Sequence, residues 1–187
     1  MKHSIIIATI AAALAAPLAA QADNAYVGVN VGRAEQKMDV EGVGSEKDSS
    51  TGFKLYGGYD YSKNFGVEAG YVDFRKVEKS ALGYGASSKP ESIYLAATGT
   101  LPLNDQFSLF GKLGVAFNHT EVKAWEPGFS DSTTKNQTSP MIGIGASFAL
   151  DKKISFVAEY ENFGKVAKEG GDSVKADMLS VGVRFKF

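Results

Sequence analysis

The sequence has no cysteine, one tryptophan, two histidines and five prolines in 187 residues. Without cysteine there can be no disulfide scaffold, thiolate metal site, cysteine nucleophile or lipid-modified N-terminal cysteine. Two histidines, one of them His3 ahead of the first apolar run, are too few for a transition-metal cluster. That run, Ile5 to Ala16, is the longest in the chain and falls short of the roughly 20 residues a spanning helix needs. An α-helical membrane protein is therefore excluded. Charge of one sign is also missing: 20 Lys and Arg against 21 Asp and Glu leave a net charge of −1, without the basic field that nucleic acid requires. What is abundant is glycine (21), phenylalanine (12) and tyrosine (8), a composition that points to β-structure rather than disorder.

The N-terminus reads as an export signal. Met1-Lys2-His3 gives a positive start, Ile5 to Ala16 an apolar stretch and Ala20-Gln21-Ala22 a small-x-small cleavage site. Residues 1–22 are thus expected to be a cleavable signal peptide, and residues 23–187 a single domain of about 165 residues. An alanine-rich signal and a cysteine-free mature chain fit a bacterial envelope.

Beyond Asp23 no helical period is found. Eight segments instead alternate with a period of two: Tyr26–Arg33, Phe53–Tyr61, Phe65–Phe74, Ile93–Leu101, Phe107–Asn118, Met141–Leu150, Ile154–Glu161 and Met178–Phe187. Short connections fall at Ser62–Asn64, Pro102–Gln106 and Asp151–Lys153. Long polar loops are expected at about Glu35–Ser50, Glu78–Lys89, Ala124–Gln137 and Lys165–Lys175. Short turns join antiparallel neighbours, and an even strand number lets an up-and-down sheet close without edges. Short turns at one rim and long loops at the other are the pattern of transmembrane barrels.

The two faces settle which solvent surrounds this barrel. One carries nearly all the Val, Ile, Leu and Phe and no strand charge; the other carries glycines with Lys54, Glu68, Lys112, Glu159 and Arg184. An eight-stranded lumen is only just wide enough for side chains, so the small residues and few charges belong inside. The apolar face then looks outward into lipid, the inverse of a soluble ligand-binding barrel. Exceptions are Gly57, Gly99 and Gly111 on the apolar face and Phe110 on the other. Aromatics gather near both rims: Tyr59, Tyr61, Phe65, Phe107, Phe148, Phe156, Phe185 and Phe187 by the turns, and Phe53, Tyr71, Phe117 and Tyr160 by the loops. Glu68, Lys112 and Glu159 come from three different walls, which allows a lysine to bridge two carboxylates.

The stretches Gly52-Phe-Lys-Leu-Tyr-Gly-Gly-Tyr59, Phe65-Gly-Val-Glu-Ala-Gly-Tyr71 and Met178-Leu-Ser-Val-Gly-Val-Arg-Phe-Lys-Phe187 resemble the OmpA-type transmembrane domain. The resemblance implies a lumen plugged by a charged network that can gate, with Glu68, Lys112 and Glu159 at charged lumenal positions of the family. Thr98, Ser147 and Val157 stand where family members often have charged partners, which implies a thinner network. Val181, Val183, Phe185 and Phe187 resemble the terminal signal by which the barrel assembly machinery, after periplasmic chaperones, takes up such chains. Larger members add a periplasmic peptidoglycan-binding domain; the chain given is expected to correspond to the barrel alone.

Other motifs carry little chemistry. His119 near the outer rim, with Asp131 and Ser132 in the following loop, is the material for a lipid-modifying enzyme, but nothing fixes a base–nucleophile geometry. Gly143-Ile-Gly145 and Gly83-Tyr-Gly85 lie outside any strand–glycine–helix unit and are not nucleotide fingerprints. Trp125 is read as an interface anchor. The expectation is an exported outer-membrane barrel with a structural, surface-presenting role and at most a narrow gated ion path. A solute or ion porin is the alternative, and a lipid-modifying enzyme a further one. No cofactor or nucleic acid is expected; the partners are membrane lipid, lipopolysaccharide, the assembly machinery and extracellular ligands of the loops.

Overall fold

The computed structural model describes residues 24–40, 44–75, 77–81, 84–126, 129–169 and 172–187. Within these, the side chains of 38–40, 44–47, 77–81, 84–86, 122–126, 129–131, 167–169 and 172–173 are not described. The expected signal peptide, Gly83 and the side chains of Trp125 and Asp131 lie outside the described residues. Nine strands follow in order: β1 (Ala25–Val40), β2 (Gly44–Asp60), β3 (Phe65–Asp73), β4 (Val77–Ala81), β5 (Tyr84–Pro102), β6 (Phe107–Glu126), β7 (Phe129–Ala149), β8 (Ile154–Glu169) and β9 (Asp172–Lys186).

Every pairing is antiparallel between neighbours, and β1 pairs with both β2 and β9, so the sheet closes on itself. β3 and β4 both pair with β5 as successive parts of one stave, interrupted after Phe74 at Arg75, whose φ is +63°. The fold is therefore a closed, eight-staved, antiparallel up-and-down barrel. The sequence expectation differs in one respect: the segments expected as long loops, 35–50, 78–89, 124–137 and 165–175, are mostly strand. Hairpin β6–β7 stays paired out to Glu126↔Phe129, and β1–β2 to Val40↔Gly44. Most of these extensions have neither lipid nor a core against them, so no sustained apolar alternation marks them; ladder hydrogen bonds continue without it.

All three short turns use one device. Ser62 Oγ accepts from the amides of Asn64 (3.2 Å) and Phe65 (3.1 Å), and Asn104 Oδ1 from Gln106 (2.9 Å) and Phe107 (2.8 Å). Asp151 Oδ1 accepts from Lys153 (2.7 Å) and Ile154 (2.8 Å). A short polar side chain thus closes its own turn two and three residues on. The amides of Lys153 and Ile154 hold the exposed Asp151 carboxyl below the ordinary aspartate range. A carboxyl lowered in the folded state stabilises above its unfolded pKa and loses that contribution as pH falls through the folded one. Amide resonances of Lys153 and Ile154 should therefore titrate together, with a midpoint below about 3.9. A midpoint at or above the free value would contradict this turn geometry.

Orientation follows the expected faces. Val29, Leu113 and Val183 look outward with 57%, 69% and 39% of their surface exposed, while Lys54, Glu68, Lys112 and Glu159 are buried inside. Phe107, Phe148 and Phe156 share one rung at the turn side, and Leu55, Tyr71, Ile93 and Phe117 one rung at the other. The ten steps from Phe107 to Phe117, at ~3.4 Å each and tilted ~45°, span about 24 Å, the height of a lipid-facing band.

Glycines make the narrow lumen possible. Tyr26, Tyr56, Tyr94 and Phe110 each lie over the glycine directly across the ladder, namely Gly58, Gly28, Gly70 and Gly145. A Cβ at Gly28 would sit 2.2 Å from the Tyr56 ring, and one at Gly114 2.2 Å from the Leu95 carbonyl oxygen. Phe110, the exception to the alternation, is thus a lumenal ring that needs Gly145 beneath it. Outward-facing Gly99 has open space around it. Gly114→Ala is expected to destabilise the barrel by about 1–3 kcal/mol through overpacking, and Gly99→Ala to be neutral or slightly stabilising. Urea titrations of the two variants in detergent check this; equal effects would contradict the assigned faces.

Candidate functional site, the barrel lumen

Six charged side chains from five strands meet in the middle of the lumen: Lys54 (β2), Glu68 (β3), Lys112 (β6), Glu159 and Glu161 (β8) and Arg184 (β9). Lys112 Nζ contacts Glu68 Oε1 at 2.6 Å, Glu161 Oε1 at 3.1 Å and also Glu159 Oε2. Lys54 Nζ lies 2.7 Å from both Glu159 Oε1 and Glu161 Oε2. Arg184 Nη2 is 3.6 Å from Glu68 Oε2, and its guanidinium stands 4.4 Å over the Tyr26 ring. Neutral donors complete the shell. Tyr26 and Tyr94 hydroxyls donate to Glu68 at 3.0 and 2.6 Å, and Asn30 Nδ2 to Glu159 at 2.6 Å.

The strand alternation places all six, because Lys54, Lys112 and Arg184 and the three glutamates occupy inward positions among glycines and tyrosines. Three cations face three carboxylates, so the layer is neutral. In low dielectric that balance is what makes six buried charges tolerable. The carboxylate oxygens of Glu68, Glu159 and Glu161 lie within 4.8 Å of one another, a spacing a divalent cation could use. Two ammonium groups already stand among them, so the cluster is an ion-pair layer rather than a metal site.

All five charges singled out from the sequence lie in the lumen. Lys54, Glu68, Lys112 and Glu159 form a continuous set of contacts, and Arg184 borders it on the turn side. Glu161 was missed. It falls on the same alternating face as Glu159, and that parity was the available signal. Thr98 and Val157 are buried in the wall with no charged replacement, while Glu161 supplies a third carboxylate.

On the turn side the lumen widens into a vestibule of about 700 Å³, lined by Tyr26, Ser108, Ser147, Ser155, Arg184 and Lys186 among others. On the opposite side lies an apolar layer that sequence reasoning missed: Val72, Phe74, Phe163, Val166 and Met178 are fully buried. Phe74 and Phe163 rings meet edge to face at 5.1 Å. The β7–β8 ladder stops at Ile142↔Asn162, and Gly164 then takes φ +66° while its amide donates to Asn162 Oδ1 at 3.0 Å. Asn118 Nδ2 donates to the Phe163 and Lys165 carbonyls at 3.1 and 3.0 Å, and Thr120 Oγ1 to that of Val166 at 3.1 Å. Inward side chains of β6 thus draw β8 off the wall and carry Phe163 and Val166 across the mouth.

His119 Nδ1 donates to Asn136 Oδ1 at 2.7 Å on the outer surface. The register puts Ser132 opposite Lys123, four residues along β7 from the His119 rung, so histidine and serine are not brought together. Val181, Val183, Phe185 and Phe187 line the outer face of the closing strand, and the Phe187 amide donates to the Ala25 carbonyl at 3.0 Å.

A lipid-facing barrel with a neutral ion-pair core defines an integral outer-membrane β-barrel protein. The match to the OmpA-like transmembrane domain covers residues 20–187, and the chain belongs to that family. Outer membrane protein P5 of Haemophilus influenzae is 27% identical over 180 residues, covering 88% of this chain and 51% of that protein. Outer membrane protein A of Shigella flexneri is 25% identical over 197 residues, covering 100% of this chain and 56% of that protein. The chain spans about half the length of these curated relatives. The crystal structure of Ail, the attachment invasion locus protein of Yersinia pestis, shares the fold: TM-score 0.58, 24% identity, 87% of this chain and 99% of that one. The protein resides in the bacterial outer membrane.

Proposed function

We propose that the protein is a structural element of the outer membrane: a closed barrel that anchors long paired hairpins at the cell surface and neither conducts solutes nor catalyses a reaction. The observation that carries this reading is the lumen, where fully buried side chains of Lys54, Glu68, Lys112 and Glu159 sit beneath a second, apolar layer. A solute porin needs a polar, water-filled passage, which a barrel of this size provides only when its interior is left unfilled. The likeness in sequence to outer membrane proteins P5 and A supports the absence of catalysis, as does His119, which faces outward and binds Asn136 rather than a nucleophile; the outer membrane protease OmpT of Escherichia coli shares only the barrel fold, at 10% identity.

The partners that follow are outer-leaflet lipid and lipopolysaccharide along the apolar band and, for biogenesis, the barrel assembly machinery and periplasmic chaperones. Val181, Val183, Phe185 and Phe187 are the residues those factors would read. Planar-bilayer recording of the purified barrel tests the proposal. No unitary steps above the lipid background are expected, and stable open-pore steps would favour the porin reading instead. Incubation of wild type and His119→Ala with outer-membrane lipid should give no modified lipid in either case; product from the wild type alone would establish an enzyme.

A further inference from the structure

We propose that the open edge of β7 at residues 134–138 is a docking site for an extended segment of another protein at the cell surface, taken up as an added strand. Beyond the outer belt the closed wall divides. β8 pairs with β7 only as far as Ile142↔Asn162, and β2 with β3 only as far as Phe53↔Asp73, while β4 pairs with β5. Two sheets therefore rise from the barrel, β2–β1–β9–β8 and β4–β5–β6–β7. In the second, β7 keeps its ladder to β6 out to Glu126↔Phe129 and so stays extended. Among the described residues, nothing in β8 pairs with its other edge beyond Ile142.

The ladder fixes which backbone groups face that edge. The Ala149 amide donates to the Gln106 carbonyl at 2.8 Å, on the β6 side, and the Leu150 amide to the Ile154 carbonyl at 2.9 Å, on the β8 side. Odd-numbered residues of β7 thus bond towards β6 and even-numbered ones towards β8. The register to β6 is unbroken, so the amides of Thr134, Asn136 and Thr138 and the carbonyls of Thr134 and Asn136 point to the open side. The Thr138 carbonyl accepts from Gln137 Nε2 at 3.0 Å. β8 differs: its carbonyls at Phe163, Lys165 and Val166 are taken by the side chains of Asn118, Ser139 and Thr120. One lip of the split is capped by side chains, and the other presents main-chain donors and acceptors in strand geometry.

The outward row of this edge, Thr134, Asn136 and Thr138, is exposed, uncharged and free of proline, so it lacks the usual guards of an edge strand. Pro140, which has no amide to give, marks its lower end. Thr138 lies across from Phe117 of the outer belt. Thr134 stands about 14 Å further along the strand, about 10 Å along the membrane normal at ~40° tilt, clear of hydrocarbon. A second copy does not fit this edge. Both β7 strands would run towards the membrane and, tilted ~40° in the same hand, cross at about 80° where two upright barrels face each other. An extended segment of another protein is free of that constraint. Main-chain hydrogen bonds hold it, and Ser, Thr or Asn on its outer face match the row beside them. This site rests on the reading of a surface-presenting barrel and adds to it a place and a partner chemistry.

The test uses the whole chain folded in an uncharged detergent, with amide exchange followed by NMR and an acetylated peptide of alternating Thr and Val as probe. Without peptide, the amides of Thr134, Asn136 and Thr138 should exchange about tenfold faster than those of Thr133, Lys135 and Gln137, which bond to β6. Millimolar peptide is expected to slow the first three about tenfold. N-methylation of two amides on the probe's pairing edge should weaken binding about 25-fold, each backbone hydrogen bond being worth about fivefold. Thr134→Pro removes an edge amide without touching the β6 ladder and should abolish binding, whereas Thr134→Ala should bind as the wild type does. Circular dichroism confirms that each variant is folded; if Thr134→Pro is not, the N-methylated probe decides. Equal protection of all six amides without peptide, no slowing by millimolar peptide, or equal binding of the N-methylated probe would overturn the proposal. Insertion of the wild type into phospholipid vesicles separates the two levels of inference. A barrel that inserts but ignores the peptide refutes this site alone; a chain that does not insert refutes the membrane reading and this site with it.

Discussion

Lys112→Ala is expected to lower the unfolding free energy of the barrel by about 3–5 kcal/mol, the effect of removing one member of a buried ion-pair set. Lys112 is the common partner of Glu68, Glu159 and Glu161. Its loss leaves three buried carboxylates facing only Lys54 and Arg184, and the lumen is too narrow to hydrate the excess charge freely. Glu161→Gln added to Lys112→Ala restores the balance of charge and should recover part of the loss, a coupling that a double-mutant cycle measures. Urea titration followed by circular dichroism in detergent is sufficient. A change within about 0.5 kcal/mol, the usual range of a surface substitution, would mean that the layer contributes nothing to stability.

Phe163→Ala is expected to cost about 3–5 kcal/mol, as large-to-small changes of buried aromatics do. Its ring fills the mouth between Phe74 and Tyr94, with centroids at 5.1 and 6.0 Å. The consequence for conduction follows from two barriers in series. Lys112→Ala leaves the apolar layer shut, and Phe163→Ala/Val166→Ala leaves the ion-pair layer shut, so neither should raise bilayer conductance alone. The combined variant is expected to leak. Conductance from Lys112→Ala alone would show that the apolar layer is no barrier and that the ion pairs are the sole gate.

The membrane-embedded part of the fold was legible in the sequence because lipid and lumen impose opposite demands on alternate residues. Val29, Leu113 and Val183 on one parity and Gly28, Glu68 and Lys112 on the other are enough to orient their strands. The hairpin extensions were not legible. Segments such as Ser132–Gln137 have water on one side and no core on the other, so their alternation carries no apolar signal and they resemble loops. The apolar layer was hidden for a different reason. Phe163 lies within β8 but just beyond the alternating segment Ile154–Glu161, and its burial depends on Gly164 taking a left-handed conformation and on Asn118 and Thr120, more than 40 residues earlier, binding its segment. Periodicity cannot report a contact between β6 and β8, which are not neighbours in the sheet. Glu161 was within reach, since it repeats the parity of Glu159.

The central claim is that the apolar stripe of each strand meets hydrocarbon while the charged and polar side chains of the opposite parity fill the lumen. The cysteine-free chain allows this to be measured site by site with single cysteines carrying nitroxide labels in bilayers. Labels at Val29, Leu113 and Val183 are predicted to be relaxed strongly by oxygen dissolved in the lipid and weakly by a water-soluble nickel chelate. Strong relaxation of those three positions by the chelate, with little effect of oxygen, would place the apolar face away from lipid and contradict the account.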